Sequence, residues 1–551
     1  MSAAVATPPV PAVAGPALGS TLTGTGMLLR FMLRRDRTRI LWWTLGVTLL
    51  YAGGLGEYVL LDDPDASAAR SVLVSSPAMV SMTGPGYGID DYTPGAAVAN
   101  EFILWVVLTL AVMSILQVVR HTRAEEESSR SELVRAGAVG RHAPSVAALL
   151  LVLVMNVVIA VTSAVAVTAQ GFDAGQSFAM TSAIALGALV FGAVALVAAQ
   201  AYEHGRGAVG VSLAALGAAF LLRALGDVQE RHGSALSWLS PIAWVQQTRV
   251  FVDLRWWPLG LCVAAIVVLI VVAAFLGSRR DFGGGLVAVR PGHPDARPTL
   301  TGPGPLAWVQ QRGALMWTAL GLGLMWLGSG TIIREVPKML DAVEGNPIYT
   351  ALLGSNEDMV RTFLGIFGLY IAAGAAAYGT AAALRVKGEE EAGRTEITLA
   401  TPVSRGRWFA SSLVVALLGT VVVQLTGALA LWFGAASTGY DDVRFGEYLE
   451  LGLAYLPALA VLVGLAAALY GWLPRATGVA WVMVGYVFLV GMFADLFDLP
   501  EWARKISPFW WVGNPALEQV EASHLWGLGG VAALLFVLAF LGFRRRDVPA
   551  V

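Results

Sequence analysis

Twelve blocks of about 20 apolar residues, the length that crosses a bilayer, constrain the fold of this chain more than any other feature. The first six blocks run roughly 41–60, 98–119, 146–169, 178–201, 208–226 and 257–277. The second six run roughly 313–333, 362–385, 409–434, 449–472, 477–497 and 525–543. Because backbone polar groups in lipid must be hydrogen-bonded within the segment, each block is predicted to be a helix. We therefore predict an all-α polytopic membrane protein with twelve transmembrane helices.

Charge and cysteine content exclude several classes of protein. Asp, Glu, Lys and Arg make up 13% of the 551 residues, whereas soluble domains carry about 25%. The net charge of −2 gives no electrostatic basis for binding nucleic acid. The single cysteine, Cys262, excludes an intrachain disulfide and a CxxC metal site, and the six histidines form no HxxxH or HExxH pattern. We therefore predict no metal site.

Basic residues are concentrated in alternate loops, which predicts the orientation of the chain. They are most frequent near the start and the end of the chain and in the segments 120–145, 202–207, 278–312, 386–408 and 473–476. The positive-inside rule places these segments in the cytoplasm, with both termini. We expect a multi-pass protein of the plasma membrane whose residues 1–23 form a disordered cytoplasmic tail. Only three of the 36 basic residues are lysine, a bias that indicates a GC-rich bacterium. Glu101 and Asp227 fall near outer ends of spans, where interfacial hydration is expected.

An internal repeat divides the chain into two halves. Residues 125–141 read EEESSRSELVRAGAVGR and residues 389–405 read EEEAGRTEITLATPVSR, with eight of 17 positions identical. FLGSRRD at 275–281 similarly resembles LGFRRRD at 541–547. The best matches are charged and lie in loops, so shared apolar composition does not explain them. We predict a first six-span half over 24–277 and a second, parallel half over 305–551, joined by a cytoplasmic linker over 278–304.

The two EEE segments follow the second span of each half and are the best candidates for a functional site. In a short helix, Glu126 and Arg130 would be i,i+4 partners, as would Glu390 and Arg394. An exposed pair of this kind adds only about 0.3–0.5 kcal/mol, too little to explain the repeated glutamates. Two interpretations remain: a solvated loop with positive-inside arginines, or a docking surface for a cytoplasmic partner.

The segment EEEAGRTEITLATPVSRGRW resembles the cytoplasmic segment of type-2 ABC exporter permeases, with its pattern E-x-E-x-G-x-x-E, apolar residues and then P-V-S-R. The first copy departs from this pattern, since Ser129 and Ala138 stand in place of the glycine and the proline. The resemblance covers nearly the whole chain. The fused twelve-span form is similar to actinobacterial exporters of polyketide antibiotics and drugs, the tetronasin-exporter kind.

In that family the loop after the second span is a coupling helix that fits a groove on the ATP-binding subunit. The resemblance implies that coupling involves Glu125, Glu126, Glu127, Arg130, Glu132, Leu133 and Arg141 in the first half. In the second half it implies Glu389, Glu390, Glu391, Arg394, Glu396, Ile397 and Arg405. Leu133 and Ile397 would supply the buried apolar contact.

This chain contains no phosphate loop, because none of its three lysines lies in a GxxxxGK[ST] pattern. We therefore predict that it is a transport subunit and not an enzyme, that it holds no cofactor, and that ATP and magnesium bind to a partner. The resemblance implies one permease chain with two copies of an ATP-binding subunit, exporting a hydrophobic drug, a polyketide antibiotic or a lipid-like compound. An ion-gradient-driven secondary transporter is the alternative. It would use a buried carboxylate, and the middle of the predicted spans has none.

Overall fold

A computed structural model describes most of the chain. The described residues are 21–55, 58, 67, 70–71, 74–75, 77–127, 139–281, 283–287, 295–334, 356–440, 442–494 and 499–547, without the side chains of 77–78, 356–359 and 493. Arg130, Glu132 and Leu133 lie outside the described residues. The chain divides into two compact units, Met1–Pro291 and Gly292–Val551.

Ten α-helices form the described part of the first unit. They are α1 (Thr25–Arg35), α2 (Arg37–Gly54), α3 (Pro77–Thr83), α4 (Pro94–His121), α5 (Arg123–Glu127), α6 (Ala143–Thr168), α7 (Ala174–Ala201), α8 (Gly205–Gln229), α9 (Pro241–Gln246) and α10 (Trp257–Arg279). Local sequence starts several of them. Thr93 precedes Pro94, the first residue of α4, and its hydroxyl accepts a hydrogen bond from the Ala96 amide. Asp173 precedes α7, and its carboxylate accepts a hydrogen bond from the Gln176 amide. Both are side-chain caps for amides that have no partner within the helix.

Ten α-helices also form the described part of the second unit. They are α11 (Pro303–Ile332), α12 (Asn356–Ala383), α13 (Arg385–Glu391), α14 (Arg394–Leu399), α15 (Arg405–Ser437), α16 (Phe445–Ala454), α17 (Leu456–Trp472), α18 (Gly478–Phe493), α19 (Glu501–Ile506) and α20 (Ala522–Arg545). The long helices α11 and α15 cross where Gly330 meets Gly434. A Cβ added to Gly330 would lie 2.2 Å from the Leu431 carbonyl oxygen. Small residues permit this close approach, which suits helix packing in lipid.

The predicted all-helical membrane architecture is confirmed. Among the described residues, eleven segments, rather than the predicted twelve, are long and apolar enough to cross a membrane. The exception is α2, at the predicted first span. It begins with Arg37 and Arg39, and its apolar part ends at Gly54, short of the about 20 residues that a crossing needs. Most of the predicted span beyond residue 55 lies outside the described residues.

The boundaries of the predicted tail and linker differ from the structure. Thr21 and Thr23, which the prediction assigned to the disordered tail, accept hydrogen bonds from the amides of His142 and Gly140 at 3.0 and 2.9 Å. Residues 1–20 lie outside the described residues. The linker was predicted to begin at 278, but α10 continues to Arg279, and α11 begins at Pro303. Between them, the amide of Val287 bonds to the carbonyl of Ala201, so the start of the linker packs on the first unit.

Candidate functional site

The three glutamates of the first EEE segment contact three different elements of the first unit. They lie on α5, which follows α4 after a break at Thr122. Glu125 forms an ion pair with Arg35 at the end of α1. The Glu127 carboxylate accepts a 2.8 Å hydrogen bond from the Gly205 amide, the first residue of α8. This bond satisfies an amide at the helix N-terminus and places negative charge at the positive end of the helix dipole.

Glu126 holds the end of the last span of the first unit. Its carboxylate oxygens lie 2.9 and 2.7 Å from the Nη1 and Nη2 atoms of Arg280, which directly follows α10. The Arg280 Nε donates at 2.8 Å to the side-chain oxygen of Gln200 on α7. Arg123 donates both to Glu126 and to the Gly284 carbonyl. The side chains of Glu126 and Arg280 are only 13% and 9% exposed, so this pair faces the protein interior.

The second EEE segment makes an equivalent arrangement in the second unit. Glu390 pairs with Arg546, just after α20, and accepts a hydrogen bond from the hydroxyl of Tyr470 on α17. Arg280 and Arg546 are the last arginines of the repeated FLGSRRD and LGFRRRD segments. We call the two arrangements the Glu126 clasp (Glu126, Arg280, Gln200) and the Glu390 clasp (Glu390, Arg546, Tyr470). In each unit the clasp joins the segment after the second predicted span to the fourth and the last.

The last arginine of each repeat reinforces the same connection. Arg141 donates to the carbonyls of Gly277 and Arg280 at 2.7 and 3.0 Å. Arg405 donates to the carbonyl of Arg546 at 2.9 Å. These carbonyls lie at or just beyond helix C-termini, where intrahelical partners are missing and positive charge is favourable. Both arginines therefore cap the last span of their unit.

The predicted pairing of Glu390 with Arg394 is wrong. Gly393 has φ of +71° and ends the helical path, so α13 and α14 are separate helices. The turn directs Arg394 to Glu389, with nitrogen–oxygen distances of 2.7 and 2.9 Å. These hydrogen bonds to the Glu389 carboxylate raise the pKa of the Arg394 guanidinium above its usual value, against an opposing effect of burial. In the first unit, Glu126 pairs with Arg123 and Arg280, and Arg130 lies outside the described residues.

The remaining predicted residues, Glu391 at the end of α13 and Glu396 and Ile397 on α14, face the outside of the second unit. Ile397 is 72% exposed, and the neighbouring Glu396 is also exposed. Glu391 is 66% exposed at its side chain and lies 3.7 Å from Lys387. Thr395 is buried and holds the helix against the unit. The side chain of Ile397 is thus free to contact another protein, while Arg394 and Thr395 attach the helix to the unit.

Neither sequence interpretation, a solvated loop or a docking surface, predicted that glutamates of both EEE segments would pair with other elements of their own unit. The first two glutamates of each triplet are held inside, which is not the environment of a solvated loop. The sequence interpretation missed Arg280 and Arg546, the partners of these glutamates. The repeated RRD segments were the signal that could have found them. Within the described residues, no group of three or more His, Cys, Asp and Glu side chains could hold a metal ion.

Two acidic residues expected at hydrated outer span ends are paired with arginines instead. Asp227 pairs with Arg223 at 3.3 Å and accepts a 2.6 Å hydrogen bond from Ser237. The side chains of Asp227 and Arg223 are fully buried. Glu101 accepts two hydrogen bonds from Arg70, at 3.0 and 2.7 Å. The prediction of interfacial hydration is wrong for Asp227, because Arg223, one helical turn away, and Ser237 take the place of water. Glu101 is partly exposed and is held by Arg70.

Comparison with known proteins agrees with this architecture. The family described as "Multidrug efflux system permease Rv1217c, C-terminal domain" matches residues 26–279 and 300–544. The chain is also 35% identical over 540 residues to the multidrug efflux system permease protein Rv1217c of Mycobacterium tuberculosis (strain ATCC 25618 / H37Rv), covering 97% of each chain.

Proposed function

The chain belongs to the family of multidrug efflux permeases represented by Rv1217c, and on this basis we propose that it is the membrane subunit of an ATP-driven exporter of hydrophobic compounds. It is a transport component of the plasma membrane, and ATP hydrolysis takes place on a partner subunit. The finer proposal is that one permease chain binds two copies of that subunit, one at each EEE segment. The cargo is a drug, a polyketide antibiotic or another lipid-like compound.

The exposed helix α14 is the observation that carries the coupling proposal. Ile397 offers an apolar contact of the kind that anchors protein interfaces. Exposed Glu396 lies beside it, and Arg394 ties the start of the helix to the buried Glu389. A displacement of α14 is therefore passed to α13, and Glu390 on α13 is paired with Arg546 at the end of the last span. This continuous set of contacts can transmit movement of a bound ATPase to a membrane helix.

The test is co-purification of the permease with its ATP-binding subunit. We expect Ile397→Asp to lower capture of the ATPase from two subunits per permease to one, while the permease elutes normally from a size-exclusion column, because an exposed side chain makes little contribution to folding. Glu203→Lys is the matched control, since it changes an exposed residue of another predicted cytoplasmic loop. Full capture by Ile397→Asp would show that α14 is not the docking element.

The stoichiometry is tested separately by native mass spectrometry of the wild-type complex. We expect one permease with two ATPase subunits. A fully active permease found alone, or with a single ATPase, would contradict the proposal of two docking sites.

A further inference from the structure

A cavity of about 550 Å³ opens at the EEE end of the first unit. Its walls come from α1, α4, α5, α6, α7 and α10, and from residues 139–142. Apolar side chains such as Met32 and Ile270 line one part, and polar groups such as Thr122 and Gln200 line another. The volume lies within the range of about 300–1,000 Å³ that small-molecule sites have in proteins. The cavity is therefore large enough for a ligand with an apolar body and a polar head.

The repeat shows that this cavity is not a general property of the fold. When the offsets of the two repeats, 264 for the EEE segments and 266 for the RRD segments, are extended by a few residues, the lining residues Ser145, Ala274 and Gly277 correspond to Phe409, Phe540 and Phe543. In the second unit these three rings pack together, with the Phe409 centroid 5.2 Å from Phe540 and 4.8 Å from Phe543. Tyr470 joins the cluster, where the first unit has Gln200 in the equivalent clasp. Small side chains in the first unit thus leave open a space that aromatic rings occupy in the second.

Most of the charged groups around the cavity already have partners, and Asp281, which also lines it, is exposed to solvent. Glu126 is paired with Arg280, and Glu125 is paired with Arg35. Arg141 donates to two main-chain carbonyls. A ligand that brought a net charge would have to compete with these pairs and would pay for desolvation. The lining consequently favours an uncharged head group that exchanges hydrogen bonds.

The position of the cavity indicates how a ligand reaches it. It lies at the ends of membrane-spanning helices, and the amphipathic helix α1 forms one side. Phe31 on that helix lines the cavity and is 58% exposed, as an apolar residue at a membrane interface would be. We propose that this cavity binds an uncharged amphiphile, with its apolar body against α1 and α10 and its hydroxyl or carbonyl head near Gln200 and Thr122. The amphiphile is either a lipid of the adjacent leaflet or the exported cargo itself.

This inference goes beyond the proposed function, because the site lies within one unit and needs no ATPase. It also places a ligand against the Glu126 clasp, since Glu126 and Arg280 both line the cavity. Binding can therefore be measured on the permease alone, so its failure is distinguishable from a failure of the coupling proposal.

The experiment is photolabelling of the purified full chain with a monoacylglycerol that carries a diazirine in its acyl chain. We expect labelled peptides from residues 28–32 and 270–277 of the wild-type protein. Ala274→Phe with Ser145→Phe introduces the side chains that the second unit uses at these positions. It should reduce labelling about tenfold, the factor that corresponds to losing burial of roughly two methylene groups. Ala274→Phe alone provides a second variant if the double substitution does not fold.

Val271→Phe is the matched control, because Val271 lies on the same helix but is 61% exposed. It should label like the wild type.

Unchanged labelling of a folded cavity-filled variant would overturn the proposal. Equal labelling by carboxylate and trimethylammonium probes of the same chain length would overturn the uncharged class of ligand. Displacement of the probe by exported compounds would support cargo as the occupant. A lipid that co-purifies with the wild type and not with the filled variant would support a lipid of the adjacent leaflet as the occupant.

Discussion

The Glu126 carboxylate accepts hydrogen bonds at 2.9 and 2.7 Å from the guanidinium of Arg280, 154 positions further along the chain. The pair joins the EEE segment after the second predicted span to the end of the sixth. Glu390 and Arg546 make the same connection in the second unit. The contact is therefore repeated in both halves, at the segments most similar between them, and it ties the EEE segment to the last span of each unit.

Removing Glu126 should destabilise the first unit strongly. Glu126→Ala leaves Arg280 and Arg123 buried with their charge uncompensated, which lowers the free energy of unfolding by about 3–5 kcal/mol. Adding Arg280→Met removes the main stranded charge and should restore part of that loss. The measurement is thermal unfolding of the purified permease, with Glu203→Ala as an exposed control. If the double variant is no more stable than Glu126→Ala, the pair is not the reason for the loss.

The third glutamates of the two triplets should behave differently, although they are equivalent in sequence. Glu127→Ala removes the 2.8 Å acceptor of the Gly205 amide and should cost about 1–2 kcal/mol of stability. Glu391→Ala removes only an exposed i,i+4 contact to Lys387, worth about 0.3–0.5 kcal/mol. Comparing the two melting temperatures checks this. Equal shifts would mean that the hydrogen bond between Glu127 and the N-terminus of α8 does not contribute to stability.

Export should depend more on the second EEE segment than on the first. The second segment has Gly393 and Pro402, the glycine and proline of the exporter pattern, and it carries the exposed α14. We expect Glu390→Ala with Glu391→Ala to reduce export, per folded molecule, more than Glu126→Ala with Glu127→Ala. The assay is efflux from cells with the amount of folded protein in the membrane measured alongside. Equal losses would remove the asymmetry, and no loss in either would mean that these glutamates are not needed for coupling.

The buried pair of Arg223 and Asp227 in α8 should be necessary as a pair but replaceable as a unit. Arg223→Met leaves the Asp227 carboxylate in a buried site, still hydrogen-bonded to the Ser237 hydroxyl but without its positive partner. This should cost about 3–5 kcal/mol, whereas adding Asp227→Leu should recover most of it because no charge is then stranded. Thermal unfolding of the three proteins is the measurement. A double variant as unstable as Arg223→Met would show that packing, not charge, sets the loss.

The sequence alone determined the architecture of this protein. Hydrophobic length is a local property, so the apolar blocks predicted the spanning helices to within a few residues at most boundaries. The repeats at 125–141 and 389–405, with the RRD segments, likewise identified equivalent parts of two halves without any structure. The weak case was α2, because arginines at its start shorten the apolar run. Ile397, the residue we propose for docking, was also selected from the sequence, and the structure places its side chain outside.

Only the tertiary structure decided what the charged residues contact. Glu126 and Arg280 are 154 positions apart, and no local pattern connects them, whereas the helical spacing that predicted Glu390 with Arg394 is interrupted at Gly393. The same limit applies to the cavity. Ser145, Ala274 and Gly277 are unremarkable in sequence and line a common space only when α6 and α10 bring them together. Partners that are far apart along the chain are chosen by packing, because the burial of charge and the filling of space depend on every element that meets there.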